Sequence, residues 1–105
     1  MLTIQLNSES TQLLFNWGVQ VDASYEVQEQ SSTYDNSLNL LTVTLLATEV
    51  SDDGSWFHYN FTENVTNLEG HIQIKVELVN KEKDRKVITH QSDGIRIERP
   101  SSGCN

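Results

Sequence analysis

Strict alternation of apolar and polar residues is the dominant pattern of this chain. It is clearest between Gly70 and Asn80, where Ile72, Ile74, Val76 and Leu78 alternate with His71, Gln73, Lys75 and Glu77. A period of two places the two sets on opposite faces of a β-strand. One face is then expected to pack on a core while the other meets water, which is typical of an antiparallel sheet.

The same alternation predicts seven strands separated by turns, at residues 2–7, 12–21, 23–28, 40–50, 56–62, 70–80 and 87–98. The polar stretch 29–39 predicts a loop, and residues 51–55, which contain Asp-Gly, predict a hairpin turn. Residues 92–94 predict a bulge or break in the last strand. Because no segment has a helical period, we expect an all-β fold, an antiparallel two-sheet β-sandwich of about seven strands.

The strand phases separate core residues from surface residues. Strand 56–62 directs three aromatic side chains toward the core, namely Phe57, Tyr59 and Phe61. Trp56 and His58 then point outward, and an exposed tryptophan on a sheet is a candidate hot spot for binding. The alternative is that Trp56 caps the end of the sandwich or packs beneath the 29–39 loop. With His71 and Lys75 from the outward set of strand 70–80, these residues form the predicted binding surface.

Three parts of the chain resemble fibronectin type III modules. Residues 13–17 (Leu-Leu-Phe-Asn-Trp) resemble the second strand of that family, whose tryptophan lies in the core. Residues 23–27 (Ala-Ser-Tyr-Glu-Val) resemble its third strand, which has an inward tyrosine. Residues 67–80 and 92–97 resemble its last two strands and the exit of the chain. The resemblance implies an immunoglobulin-like sandwich that serves as a spacer or protein-binding unit, for example in cell adhesion, within a multidomain surface or secreted protein.

Length and charge narrow the possibilities further. A chain of 105 residues, 36% of them hydrophobic, is expected to form one domain with one core. We assign that domain to residues 1–99 and a flexible C-terminal tail to residues 100–105. Seven Lys and Arg against fifteen Asp and Glu give a formal net charge of −8, which repels nucleic acid and argues against it as a partner.

Cysteine content and hydropathy bear on the compartment. The single cysteine, Cys104, excludes an internal disulfide, and its role stays open. No apolar run reaches the length of a membrane span, so we predict no membrane insertion by this chain. The alternation begins at Leu2, unlike a signal peptide. This start is compatible with a cytoplasmic protein or with a module of a longer secreted chain. We expect the second, an extracellular or cell-surface location as part of a longer chain, because the predicted domain starts and stops with strands.

Catalytic, cofactor and metal sites are not predicted. The sequence has no Gly-x-Ser-x-Gly elbow, and its three histidines, His58, His71 and His90, fall on outward strand faces or near strand ends. Zinc would require clustered His and Cys, which the spacing does not supply. Two sequons for N-glycosylation occur, at Asn60 and Asn64, and chance alone predicts about two in a sequence of this composition. They are compatible with a glycoprotein.

Three functions follow as hypotheses. The first is a non-enzymatic protein–protein interaction or spacer module, which binds through its Trp56 surface or through an edge strand. The second is a carbohydrate-binding module, in which exposed aromatic rings would stack on sugars. The third is a small acidic cytoplasmic or viral protein that inhibits a basic partner, and it depends on the net charge alone.

Overall fold

The computed structural model describes residues 1–99, all of them in strands, turns or short connections. The predicted flexible tail and Cys104 lie outside the described residues. Seven strands follow one another along the chain: β1 (Leu2–Leu6), β2 (Gln12–Val21), β3 (Ser24–Asp35), β4 (Leu40–Ser51), β5 (Ser55–Asn64), β6 (Gly70–Asn80) and β7 (Arg85–Ile97).

Two sheets face each other across one core. The first has three strands in the order β1-β2-β5, and the second has four in the order β3-β4-β6-β7. All neighbours are antiparallel except β4 and β6, which pair in parallel, so the prediction of a purely antiparallel sandwich is wrong at this pair. The physical reason is the crossover: β5 lies in the other sheet, and the chain therefore returns to β4 in the same direction.

The alternating pattern correctly identifies the core. Inward residues of β6 are fully buried, namely Ile72, Ile74, Val76 and Leu78, each 0% exposed. Trp17 on β2 is also 0% exposed, and its ring meets Phe57 edge-on at a centroid distance of 5.9 Å. Phe15 and Phe61 stack at 4.5 Å. Apolar side chains from both sheets thus form one continuous cluster, as expected for a β-sandwich.

The main error in strand boundaries concerns β3. Residues 29–35 belong to this strand instead of a loop, and they pair with β4 from Glu29 opposite Leu46 to Asp35 opposite Leu40. Most of their side chains are exposed, because β3 lies at the edge of its sheet. Backbone pairing supplies the hydrogen bonds of such a strand, so polar side chains are tolerated and the composition resembles that of a loop.

The last strand differs less from the prediction. It begins at Arg85, two residues before the predicted start at residue 87, because Arg85 pairs with Asn80. Residues 92–94 form the predicted irregularity without ending the strand: the register against β6 shifts there, and Gly94 has a φ of 39°. A left-handed φ is accessible to glycine at little cost, which suits a bulge.

Side chains hold the two ends of the sandwich together. At one end, the Arg99 guanidinium donates hydrogen bonds to the backbone carbonyls of Ser10, Val65 and Leu68. At the other end, Asp22 accepts a hydrogen bond from the Tyr25 hydroxyl at 2.8 Å and another from Arg85 at 3.1 Å. The Tyr25 hydroxyl and the Arg85 guanidinium together hold the pKa of the Asp22 carboxyl below its usual value.

Candidate functional site

The outer face of the three-stranded sheet carries the largest exposed aromatic side chain of the described residues. Trp56 on β5 is 64% exposed, so it neither caps the sandwich nor packs beneath another segment. Its outward neighbours on the same sheet are Leu14, Asn16 and Gly18 of β2 and His58 and Asn60 of β5. We call this set of six residues the Trp56 face.

Gly18 creates the space in which the Trp56 indole lies. A Cβ atom added to Gly18 would lie 3.2 Å from Nε1 and 3.3 Å from Cζ2 of the indole. The ring therefore rests directly on the backbone of β2, and any larger residue at this position would lift it. The sequence does contain a signal for this arrangement, because a glycine within a strand often marks a close approach of another group.

Polar groups surround the indole. The imidazole Nε2 of His58 lies 2.9 Å from Oδ1 of Asn16, and Asn60 lies directly opposite Asn16 in the ladder. Leu14, 43% exposed, adds apolar surface further along β2. An exposed tryptophan with hydrogen-bonding side chains beside it matches the general composition of protein interfaces, in which tryptophan is enriched.

The other two residues of the predicted surface lie elsewhere. His71 and Lys75 are on β6, and they point away from the core on the outer face of the four-stranded sheet. The Lys75 ammonium nitrogen Nζ lies 3.6 Å from Oε1 of Glu77, and the same carboxylate oxygen lies 3.5 Å from Nζ of Lys86. The prediction of one surface built from Trp56, His58, His71 and Lys75 is therefore wrong, since the two pairs occupy opposite sides of the molecule. Alternation reveals that a side chain points outward but not which sheet carries it.

A groove runs along the side of the sandwich where the edges of β3 and β5 approach each other. It has a volume of about 480 Å³, and its apolar lining includes Tyr25, Val27, Trp56, Phe57 and Tyr59. Side-chain hydrogen bonds connect the two strand edges at two places. Ser24 and Ser55 meet through their hydroxyls at 3.2 Å, and the Gln30 amide donates to the Thr62 carbonyl at 2.8 Å. The Trp56 face and the groove thus meet at Trp56.

Both predicted glycosylation sites are accessible. Asn60 is exposed on the Trp56 face, and Asn64 is exposed at the end of β5. The Asn64 side-chain oxygen accepts a hydrogen bond from the Thr66 backbone N–H at 3.0 Å. Exposure permits a glycan at either position, and attachment itself stays a prediction.

The histidines do not converge. His58 lies on β5 in the first sheet, whereas His71 and His90 lie on β6 and β7 in the second. Within residues 1–99, no group of three or more His, Cys, Asp or Glu side chains is arranged to hold a metal ion. The described part of the chain also has no helix with the length and apolar character needed to cross a membrane.

Comparisons of the chain with protein-family models, with curated proteins and with solved structures give no match.

Proposed function

We propose that this protein is a protein-recognition module that binds its partner through the Trp56 face. The observation that carries the proposal is the position of the Trp56 indole, which is 64% exposed and rests on Gly18. Exposing an indole to water costs free energy that burial by a partner recovers. Tryptophan is also among the residue types most often found to dominate binding energy.

Protein is favoured over carbohydrate by the number of aromatic platforms. Sugar-binding faces usually combine two or three exposed aromatic rings, whereas Trp56 is the one strongly exposed aromatic residue within residues 1–99. The other exposed apolar residue of the face, Leu14, lies opposite Thr62 at a distance along the sheet from Trp56, and it is aliphatic and offers no ring for a sugar to stack on. The surface is thus better suited to packing against apolar side chains of a protein.

The proposal includes a setting for the module. We place it outside the cell or on its surface, as a part of a longer chain, in keeping with the sequon at Asn64, which is not part of the Trp56 face, and with the resemblance to fibronectin type III modules. Membership of that family stays a prediction. The parallel pair of β4 and β6 departs from the antiparallel sheets of immunoglobulin-like sandwiches, and the proposal does not depend on the family.

The test compares Trp56→Ala with Leu38→Ala. Leu38 is a matched control because it is 62% exposed but lies in the β3–β4 turn, at the end of the sandwich away from Trp56. The amounts of protein captured by the wild-type domain and by each of the two variants are compared. One captured protein is then titrated with all three forms of the domain. We expect Trp56→Ala to weaken binding by at least about 30-fold, or about 2 kcal/mol, and Leu38→Ala to leave it unchanged.

Two results would contradict the proposal. One is an equal effect of the two substitutions, which would indicate general apolar adhesion. The other is selective binding of glycans by the wild-type domain on a glycan array, lost in Trp56→Ala, which would establish the carbohydrate alternative.

A further inference from the structure

We infer that the partner adds an extended strand to the free edge of β5, with apolar side chains that enter the groove and basic residues that flank them. This inference rests on the proposed function, because it names the kind of protein segment that the Trp56 region recognises. It goes further by assigning the backbone of β5, in addition to its side chains, to recognition.

The direction of the β5 backbone groups follows from the hydrogen bonds of β2. The Gly18 N–H donates to the Met1 carbonyl at 2.9 Å, and the Gly18 carbonyl accepts from the Met1 amino group. Both backbone groups of Gly18 thus point toward β1 and away from β5. In an antiparallel pair, when one residue points its backbone N–H and C=O away from the neighbouring strand, the residue opposite it on that strand does the same. That residue is His58, so its N–H and C=O face the open edge.

The alternation extends this conclusion along the strand. Trp56 and Asn60 have the same phase as His58, and their backbone groups face the same edge. The Thr62 carbonyl, of the same phase, accepts the hydrogen bond from the Gln30 side chain, which confirms the direction independently. Trp56, His58 and Asn60 therefore offer three backbone N–H groups and three backbone C=O groups at the free edge of β5 to a partner strand.

Among the four edges of the two sheets in residues 1–99, that of β5 is the least protected against pairing. Proteins usually guard edges with bulges, lysine, proline or a short strand. The edge strand β1 has five residues, β3 has register shifts and two glutamates, and β7 has two register shifts and basic residues. In contrast, β5 pairs with β2 over ten residues in unbroken register and has no lysine or proline, and its one glutamate, Glu63, lies beyond Trp56, His58 and Asn60.

The groove supplies pockets for the inward side chains of an added strand. Phe57 and Tyr59 line it from β5, and Tyr25 and Val27 line it from β3. Residues of an added strand would alternate between this groove, whose lining combines aromatic and polar side chains, and the outer face, where Trp56 lies. Apolar residues at every second position of the partner would therefore be buried.

Charge selects a basic partner over a second copy of this chain. Glu26 lines the groove, no lysine or arginine does, and Glu63 stands near its far end. Two copies would each bring a net charge of −8 to such an interface. A segment with lysine or arginine beside its apolar residues would instead meet carboxylates, and opposite charges across an interface favour association.

The probe for this inference is the labelled peptide Lys-Val-Thr-Val-Thr-Val-Lys, titrated by fluorescence anisotropy. Its two matched controls are the same peptide N-methylated at both threonines and the same peptide N-methylated at all three valines. In an added strand, only one of these sets points its N–H groups toward β5. We therefore expect one methylated peptide to lose at least about tenfold in affinity while the other binds like the parent. Equal affinities of the two methylated peptides, or no binding of the parent at about 1 mM, would overturn the inference.

Protein variants test the same edge from the other side. His58→Pro removes an outward N–H without breaking a bond to β2, and His58→Ala removes the ring but keeps that N–H. Because the His58 ring belongs to the binding face, the alanine variant measures the loss of the ring alone, and we expect the proline variant to bind the peptide at least about tenfold more weakly than the alanine variant. If His58→Pro does not fold by circular dichroism, Asn60→Pro with Asn60→Ala replaces the pair. Equal binding by proline and alanine variants would contradict strand addition.

The same variants separate this inference from the proposed function. A natural partner lost by Trp56→Ala but retained by His58→Pro at wild-type affinity would refute strand addition and leave protein recognition by the Trp56 face in place. A natural partner unaffected by either substitution would refute both.

Discussion

Replacement of Gly18 by alanine is expected to separate the stability of the fold from the position of the Trp56 indole. The new Cβ would lie 3.2 Å from the indole Nε1, a few tenths of an ångström inside the ordinary contact distance of about 3.5–4.0 Å. Because Trp56 is 64% exposed, its ring can move toward solvent and relieve the overlap. Alanine is preferred to glycine inside a strand by about 0.5–1 kcal/mol, since glycine loses more conformational freedom on folding. We therefore expect the free energy of unfolding to stay within about 0.5 kcal/mol of the wild-type value or to rise by up to about 1 kcal/mol.

Two measurements check this prediction on the same samples. Urea unfolding followed by circular dichroism gives the free energy, and the indole N–H signals in NMR spectra report the environments of Trp17 and Trp56 separately. We expect only the Trp56 signal to move. Gly54→Ala is the matched control, because its added Cβ would lie 3.4 Å from the Val21 carbonyl and contacts no part of Trp56. A loss above about 1.5 kcal/mol, which is typical of an overpacked core, would refute the reasoning, and so would an unchanged Trp56 signal.

Three further predictions concern the fold. Ile74→Ala, at a position that is 0% exposed, should lower the free energy of unfolding in urea by about 2–5 kcal/mol, and a loss below about 1 kcal/mol would contradict the assigned core. Arg99→Lys should lower the melting temperature by several degrees, because one ammonium cannot replace a guanidinium that bonds three carbonyls; an unchanged melting temperature would show that those bonds are dispensable. Tyr25→Phe should raise the pKa of Asp22, which the Tyr25 hydroxyl lowers. A carboxyl whose pKa is lower in the folded chain than in the unfolded chain stabilises the fold at pH values above its unfolded pKa, about 3.9 for Asp. That stabilisation is lost as the pH falls through the folded pKa. Because the Asp22 pKa is lowered less in Tyr25→Phe, the variant should lose less stability on acidification. NMR titration of the Asp22 carboxyl tests this, and an identical pKa in both proteins would be the contrary result.

The direction of side chains within a strand could be predicted from the sequence, whereas the neighbouring strand with which each strand pairs could not. Alternation correctly assigns the inward positions of β6, since side-chain direction depends only on the position within the strand. The parallel pairing of β4 with β6 depends on where β5 crosses between the sheets, which no local pattern encodes. Residues 29–35 illustrate a second limit, because an edge strand can pair through its backbone while its side chains remain polar.

The candidate site was predicted in part for the same reason. The outward direction of Trp56 and His58 follows from the phase of one strand and is seen in the structure. Their separation from His71 and Lys75 depends on the assignment of strands to sheets, which is a non-local property. The role of Gly18 requires the register between β2 and β5, since only that register brings its backbone beneath the indole.

The parallel pair of β4 and β6 also has a consequence for how the chain folds. These two strands are neighbours in space, but residues 52–69 separate them in sequence and contribute β5 to the other sheet. Each sheet is therefore interrupted in the sequence by strands of the other sheet, and contacts between distant segments of this kind form slowly. During synthesis, β4 has no partner on one side until β6 emerges, which exposes an apolar strand to aggregation in the interval. We expect a chain that ends before residue 70 to have no smaller folded state, and the complete domain to unfold in a single cooperative step.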